Sequence, residues 1–227
     1  MKVCVLIPSY NEAKTIGGIV KRLKTKGHDV LVVDDGSFDD TAKVTAREGA
    51  LIISHVKNLG KGASIKEGFN FILKSTNYDT VVIMDGDGQH QPEDVDRLLE
   101  RAQTYNDDII IGNRMGYTKN MPKVRFITNK ITSFLISAIC KQRIPDTQCG
   151  LRLLKRRLID TLHLSSSKYD TESEMLINAA RKGFKIASIP ITTIYNGEKS
   201  EIHPVKDTVR FIILLVRSYF WNRKNGF

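Results

Sequence analysis

The chain is poor in the features that mark secreted, redox-active or membrane-spanning proteins. Its 227 residues include three cysteines, six prolines and one tryptophan. Cys4, Cys140 and Cys149 are odd in number and lack the spacing of a metal or dithiol motif, so a reducing compartment is expected. The first apolar run stops at Pro8, without the charged, apolar and small-residue succession of a secretory signal. The longest late apolar run, Phe211 to Val216, is too short to cross a bilayer. No Gly-x-Gly-x-x-Gly follows the first strand pattern and no Gly-x-x-x-x-Gly-Lys-Ser/Thr occurs. That argues against an ordinary dinucleotide fold and against a P-loop enzyme.

What is present is an ordinary globular composition with an uneven charge. Residues 1–113 carry 14 Lys/Arg against 17 Asp/Glu, a net of −3, and residues 114–227 carry 21 against 8, a net of +13. A basic half on an otherwise acidic protein suggests an anionic partner for that half: a phospholipid surface, a lipid phosphate or nucleic acid.

Hydrophobic periodicity predicts five short strands alternating with helices. They are Lys2 to Ile7, Val30 to Val33, Leu51 to Ser54, Val81 to Met84 and Asp108 to Ile111. Asn11 reads as the N-cap of the first helix, which Gly27 ends. This alternation predicts an α/β fold with a mainly parallel sheet flanked by helices. Ligands of such sheets bind outside the carboxyl ends of the strands. The polar clusters Pro8–Glu12, Asp34–Ser37, Asn58–Lys61, Asp85–Gln89 and Asn113–Arg114 all fall there.

The chain is organised around Val81 to His90. A buried strand runs into Asp85-Gly86-Asp87-Gly88-Gln89, whose carboxylates at i and i+2 point the same way along an extended backbone. Asp85, Asp87 and the Gln89 amide form a hard-oxygen site for Mg²⁺ or Mn²⁺ that completes its shell with phosphate oxygens and water. An EF-hand would need Gly where His90 stands and a helix, not a strand, before it. A phosphatase with a phosphorylated Asp normally carries its acid pair on the first strand, and a solvated acidic turn is the plainest alternative. Lys61, between Gly60 and Gly62 at a helix start, suits phosphate.

The second half leaves the alternation. Lys123 to Cys140 predicts an amphipathic helix striped by Val124, Ile127, Ile131, Phe134, Leu135 and Ile139, with Lys119, Lys123, Arg125 and Lys130 around its start. A polar turn from Pro145 to Arg152, a helix from Asp170 to about Lys182 and a strand over Phe184 to Ile194 follow. A last stripe from Val205 to Phe220 carries Lys206, Arg210 and Arg217. Both stripes suit either a capped core or a membrane surface with cations over anionic headgroups.

The ordered set Ile7-Pro8-Ser9-Tyr10-Asn11-Glu12, Val33-Asp34-Asp35-Gly36-Ser37, Asn58-Leu59-Gly60-Lys61-Gly62 and Met84-Asp85-Gly86-Asp87-Gly88-Gln89-His90 resembles family 2 glycosyltransferases of the GT-A fold. Gly112-Asn113-Arg114, Asp146 to Arg152, and Glu172-x-Glu174 followed by Gly183-Phe184-Lys185-Ile186 are similar to the polyprenyl-phosphate (dolichyl-phosphate) hexosyltransferases within it. The match spans about residues 2–200. Ser188 departs from it, standing where relatives often carry Glu.

The resemblance implies an inverting, metal-dependent hexosyltransferase using a UDP- or GDP-hexose and a polyprenyl phosphate acceptor. It implies a catalytic domain over 1–202, with a nucleotide- and metal-binding half at 1–113 and an acceptor half at 114–202, before a basic amphipathic helix at 203–227. Pro8, Tyr10, Glu12 and Asp35 would hold the nucleoside, and Lys61 and Asp85 would lie by the diphosphate. Asp85, Asp87 and Gln89 would bind Mg²⁺ or Mn²⁺. Arg114 and Arg152 would face phosphate, and Glu172 or Glu174 would border the acceptor. Many relatives add transmembrane helices, whereas this chain stops at Phe227, so peripheral contact at the cytoplasmic face of the membrane, or a membrane-protein partner, is expected. A hydroxyl acceptor is the competing enzymatic reading, and a membrane or nucleic-acid adaptor the non-enzymatic one.

Overall fold

The structure, a computed structural model, describes residues 1–118, 121–166 and 170–194. The helix expected over 203–227 lies outside the described residues, as does Lys119. In chain order the elements are β1 (Val3–Ser9), α1 (Ile16–Thr25), β2 (Asp29–Asp34), α2 (Thr41–Arg47), β3 (Leu51–Ser54), α3 (Lys61–Ser75) and β4 (Thr80–Ile83). They continue with α4 (Glu93–Thr104), β5 (Ile109–Asn113), α5 (Lys123–Cys140), β6 (Arg152–Lys155), α6 (Arg156–Ile159), α7 (Thr171–Arg181) and β7 (Ile186–Pro190).

The strands form one sheet in the order β3-β2-β1-β4-β6-β5-β7. All pairs are parallel except those of β6, which runs antiparallel to both β4 and β5. The expected α/β architecture is therefore observed, and the sheet runs through both halves of the chain. β1, β2 and β4 read as near-continuous apolar runs because both faces are covered. Leu6, Ile7, Val32, Val33, Val82 and Ile83 are all fully buried. Each such aliphatic side chain contributes about 1.5–3 kcal/mol when taken from water. The strand ends thus stand on a stiff platform.

Two expectations are corrected, and one open alternative is narrowed. The first helix starts at Ile16, not beside Asn11. Asn11 instead has φ of +56° and stitches two loops: its N–H donates to Ser37 Oγ (2.9 Å) and its Oδ1 accepts from Phe38 N–H (2.9 Å). The strand expected over Phe184 to Ile194 is confined to Ile186–Pro190, the stretch that has β5 beside it. The helix α5 forms as expected but does not bury its main stripe: Val124, Ile127, Ile131 and Phe134 are exposed, while Asn129, Ser133, Ile136 and Cys140 are buried.

Candidate active site

Register brings the polar strand ends together. Ser9 lies beside Asp34, Asp34 beside Ser54, and Met84 N–H donates to the Leu6 carbonyl at 3.0 Å. Because β6 is antiparallel, it enters the sheet from this same rim, so Arg152 lies between Ile83 and Ile111. The 146–151 turn and the 85–89 turn therefore meet. A shallow depression lined by Met1, His28, Tyr78 and Leu99 lies at the amino ends of the strands and contributes nothing to this rim.

The centre of the rim is an ion cluster. Lys61, the first residue of α3, places Nζ 2.6 Å from Asp85 Oδ1 and 2.7 Å from Glu172 Oε1. Burial alone would raise the Asp85 carboxyl, but Lys61, then His90, outweigh it and hold the pKa at about 2. Burial would lower the Lys61 ammonium, and the two carboxylates reverse that, pushing it above its ordinary range. Asp85 is thus ionised and Lys61 charged at neutral pH. Asp87 Oδ1 accepts from Gln89 N–H at 2.9 Å, closing the turn after Asp85, and the Gln89 carbonyl accepts from Ile194 N–H at 3.1 Å. Thr15 Oγ1 donates to the Gly86 carbonyl at 2.6 Å, tying the turn to the start of α1.

Arg114 and Arg152 sit differently from the phosphate-facing forks expected of them. Arg114, just past β5, donates from Nε (2.8 Å) and Nη2 (2.9 Å) to the two oxygens of Asp146, and its backbone N–H donates to Oδ2. Asn129 on α5 adds a donor to Asp146 at 2.8 Å. Burial would raise the Asp146 carboxyl, and these donors outweigh it. Arg152 is fully buried and donates to the carbonyls of Cys149 (2.8 Å), Glu172 (2.7 Å) and Thr147 (2.7 Å), with Nη2 3.6 Å from Glu172 Oε2. Both guanidinium groups brace the turn behind the rim. Glu174 likewise faces away: its carboxylate accepts from the backbone and hydroxyls of Ser165 and Ser166. Glu172 alone of the acidic pair reaches Lys61.

The β1 and β2 ends hold the residues expected to take the nucleoside. Pro8 is in register with Val33, where its missing N–H falls beyond the end of the β4 pairing. The Tyr10 ring stands edge-on to Phe38 with centroids 6.2 Å apart, and Phe38 is 90% exposed. Glu12 Oε2 lies 3.1 Å from Thr15 Oγ1, and the Glu12 backbone N–H donates to Thr41 Oγ1 at 2.8 Å. Asp35 is occupied by the neighbouring loop: it accepts from Leu59 N–H (2.9 Å) and Gly60 N–H (2.7 Å) and pairs with His55 Nδ1 (2.7 Å). It thereby holds the two residues that lead into Lys61.

Three residues at the site were not singled out by sequence reasoning. His90 is buried with Nε2 3.9 Å from Asp85 Oδ2, and burial takes its pKa down to about 4 despite the carboxylate. It is therefore neutral at pH 7. His55 holds Asp35, and Gly150 leaves room for Asp85: a Cβ there would lie 2.0 Å from Asp85 Oδ2. His90 sat inside the acidic motif and Gly150 inside the Asp146–Arg152 stretch, which were signals; His55 carried none. The three cysteines are free and buried, and burial pushes their thiols up to about 12, so they are poor nucleophiles.

Comparison with known proteins agrees with this architecture. The family model described as glycosyl transferase family 2 matches residues 4–162. The undecaprenyl-phosphate mannosyltransferase of Micrococcus luteus is 33% identical over 207 residues, covering 86% of this chain and 84% of that one. The UDP-N-acetylglucosamine–dolichyl-phosphate N-acetylglucosaminyltransferase of Methanococcus voltae is 29% identical, covering 85% and 86%. Among solved structures, glucosyl-3-phosphoglycerate synthase from Mycobacterium tuberculosis with Mn²⁺ and UDP-glucose superposes with a TM-score of 0.75 at 21% identity, covering 96% of this chain and 78% of that one. An α/β sheet with its polar turns gathered at one rim, and a family match over most of the described chain, lead to one conclusion: this chain belongs to glycosyl transferase family 2 and is a glycosyltransferase of the GT-A fold.

Proposed function

We propose that the rim transfers a hexose from a UDP- or GDP-hexose to polyprenyl phosphate with inversion at the anomeric carbon. The observation that carries this reading is an ionised Asp85 at the end of β4, clamped by Lys61 and followed two residues later by Asp87. The names of the two polyprenyl-phosphate transferases above support the acceptor.

The donor set fits Mg²⁺ or Mn²⁺. Among the described residues no three His, Cys, Asp or Glu side chains gather into a cage. Two hard carboxylates on one turn suit a cation that takes its remaining ligands from phosphate and water. In this reading Asp85, Asp87 and Gln89 hold the ion, which when bound neutralises charge on the diphosphate. Pro8, Tyr10 and Glu12 border the nucleoside, and Asp35 positions the loop that carries Lys61. Lys61 adds positive charge beside the departing diphosphate, and Glu172 fixes its ammonium. Arg114 and Arg152 act as positioning residues: paired with Asp146 and set beside Glu172, they hold the turn that meets Asp85.

A phosphate oxygen of the acceptor attacks C1 as the C1–O bond to the diphosphate breaks, and the electron pair leaves with the diphosphate. The second pKa of a phosphate monoester is about 6, so the nucleophile is already ionised near pH 7 and no protein base is required. The 1–113 half serves the donor and the 114–202 half the acceptor, at the cytoplasmic face of a membrane.

The test is release of nucleoside diphosphate from a panel of nucleotide sugars with Mg²⁺ or Mn²⁺, with and without polyprenyl phosphate, beside Asp87→Ala. Lipid-dependent release from one donor, lost by about 100-fold or more in the variant, is the expected result. Turnover with a hydroxyl acceptor and none with the lipid would remove the acceptor assignment and leave the fold intact.

A further inference from the structure

Asp85 already has a cation of the protein's own. Lys61 Nζ lies 2.6 Å from its Oδ1, and the same ammonium donates to Glu172 Oε1 at 2.7 Å. The two contacts differ in kind. Toward Glu172 the geometry is that of a hydrogen bond, whereas Asp85 Oδ1 is buried and, among the described residues, meets no donor at a hydrogen-bonding angle. Lys61 is thus anchored on Glu172 and held against Asp85 by charge.

The other oxygen of Asp85 is boxed in. A Cβ on Gly150 would lie 2.0 Å from Oδ2, and buried His90 places Nε2 3.9 Å from it. Neither neighbour retreats easily. Gly150 follows the Cys149 carbonyl on which Arg152 is pinned at 2.8 Å, and the His90 ring is packed inside the protein. Lys61 is different: its stem is flexible, and Glu172 keeps hold of the ammonium when Asp85 is given up.

We propose that Lys61 is the displaceable counter-ion of Asp85, which excludes a divalent cation arriving alone and yields to one arriving with a nucleoside diphosphate. The inference rests on the reading of Asp85 as a metal ligand. Without the ammonium Asp85 would be a largely buried, unpaired carboxylate, so Lys61 leaves as another cation takes its place. That exchange costs the protein an ion pair. A diphosphate offsets the cost, because its oxygens give the ammonium a new anion and the cation further ligands. Cation and nucleotide then tighten one another by the same factor.

The experiment is titration of Mn²⁺ into the full chain, alone and with saturating UDP or GDP, followed by the electron paramagnetic resonance signal of the free ion. Wild type, Lys61→Met and Glu172→Gln are compared, each with circular dichroism and a melting curve, and no turnover is needed. Lys61→Met is expected to bind Mn²⁺ alone about 10-fold more tightly than wild type, and no more tightly than wild type once the nucleotide is present. Glu172→Gln leaves the ammonium to Asp85, so Mn²⁺ alone should bind about 5-fold more weakly and the gain from nucleotide should grow. The two variants thus shift in opposite directions, where simple damage to the site would weaken Mn²⁺ binding in both. Equal Mn²⁺ affinity of Lys61→Met and wild type without nucleotide overturns the proposal. So does tightening by the same factor with nucleotide as without, which would show only the loss of a nearby charge. Should Lys61→Met not fold, a nucleotide gain in Glu172→Gln no greater than that of wild type overturns it instead. Failure of every protein to bind Mn²⁺, with nucleotide or without, would remove the metal reading along with this inference, so the two failures are told apart.

Discussion

Gly150→Ala probes the site through geometry alone, without touching a charged residue. A Cβ at 150 would lie 2.0 Å from Asp85 Oδ2, 2.5 Å from its Cγ and 2.7 Å from Oδ1. Non-bonded heavy atoms rest about 3.5 Å apart, so one side must retreat by about 1.5 Å. Asp85 cannot yield freely, because Lys61 holds Oδ1 at 2.6 Å. Nor can the turn, because Arg152 Nε is anchored on the Cys149 carbonyl at 2.8 Å. Misplacing a catalytic group by about 1 Å costs about 100-fold in rate. That corresponds to about 2.7 kcal/mol in the barrier. The assay is kcat/KM for nucleoside diphosphate release, with circular dichroism and thermal melting to show an intact fold. Gly18→Ala is the control: a Cβ there meets nothing within 4 Å and the position lies inside α1. That variant should keep full activity and gain about 0.5–1 kcal/mol of stability. A folded Gly150→Ala enzyme with kcat/KM within about threefold of wild type would refute the placement of Asp85 at the reacting centre.

Other perturbations test the supports. Asp146→Asn leaves the buried Arg114 without its carboxylate and should destabilise by about 3 kcal/mol in urea titration at pH 7. The Asp146 pKa is depressed below its ordinary 3.8 in the folded state, so its stabilisation is fully present above that value and is lost as pH falls through the folded pKa. Wild type should therefore lose stability more steeply than the variant below about pH 4, and equal slopes would remove the ion pair as the cause. Lys61→Met leaves Asp85 and Glu172 without their shared cation and should cost about 2–4 kcal/mol. Adding Glu172→Gln should recover part of that loss, and a double-mutant cycle with no coupling would contradict the contact.

The sequence by itself determined the alternation of strands and helices, because period and apolar runs are local properties of the chain. It also determined that the acidic pair closes a strand, and that each polar cluster lies at a carboxyl end. Side-chain partners were another matter. Asp146 lies 32 residues from Arg114, and Arg152 meets carbonyls at 147, 149 and 172; a charge in a sequence shows its sign and not what will neutralise it. Asn11 looked like a cap because its type suits one, yet bonds across 26 and 27 residues took it into a loop. The reversal of β6 was likewise illegible, since strand direction depends on which edges remain open when the sheet closes. The stripe on α5 was plain in the sequence, but periodicity marks only that one face is apolar. Tertiary structure decided which face the protein used: Asp146 and Thr147 needed buried polar partners, Asn129 and Ser133 supplied them beside buried Ile136 and Cys140, and among the described residues nothing buries Val124, Ile127, Ile131 and Phe134.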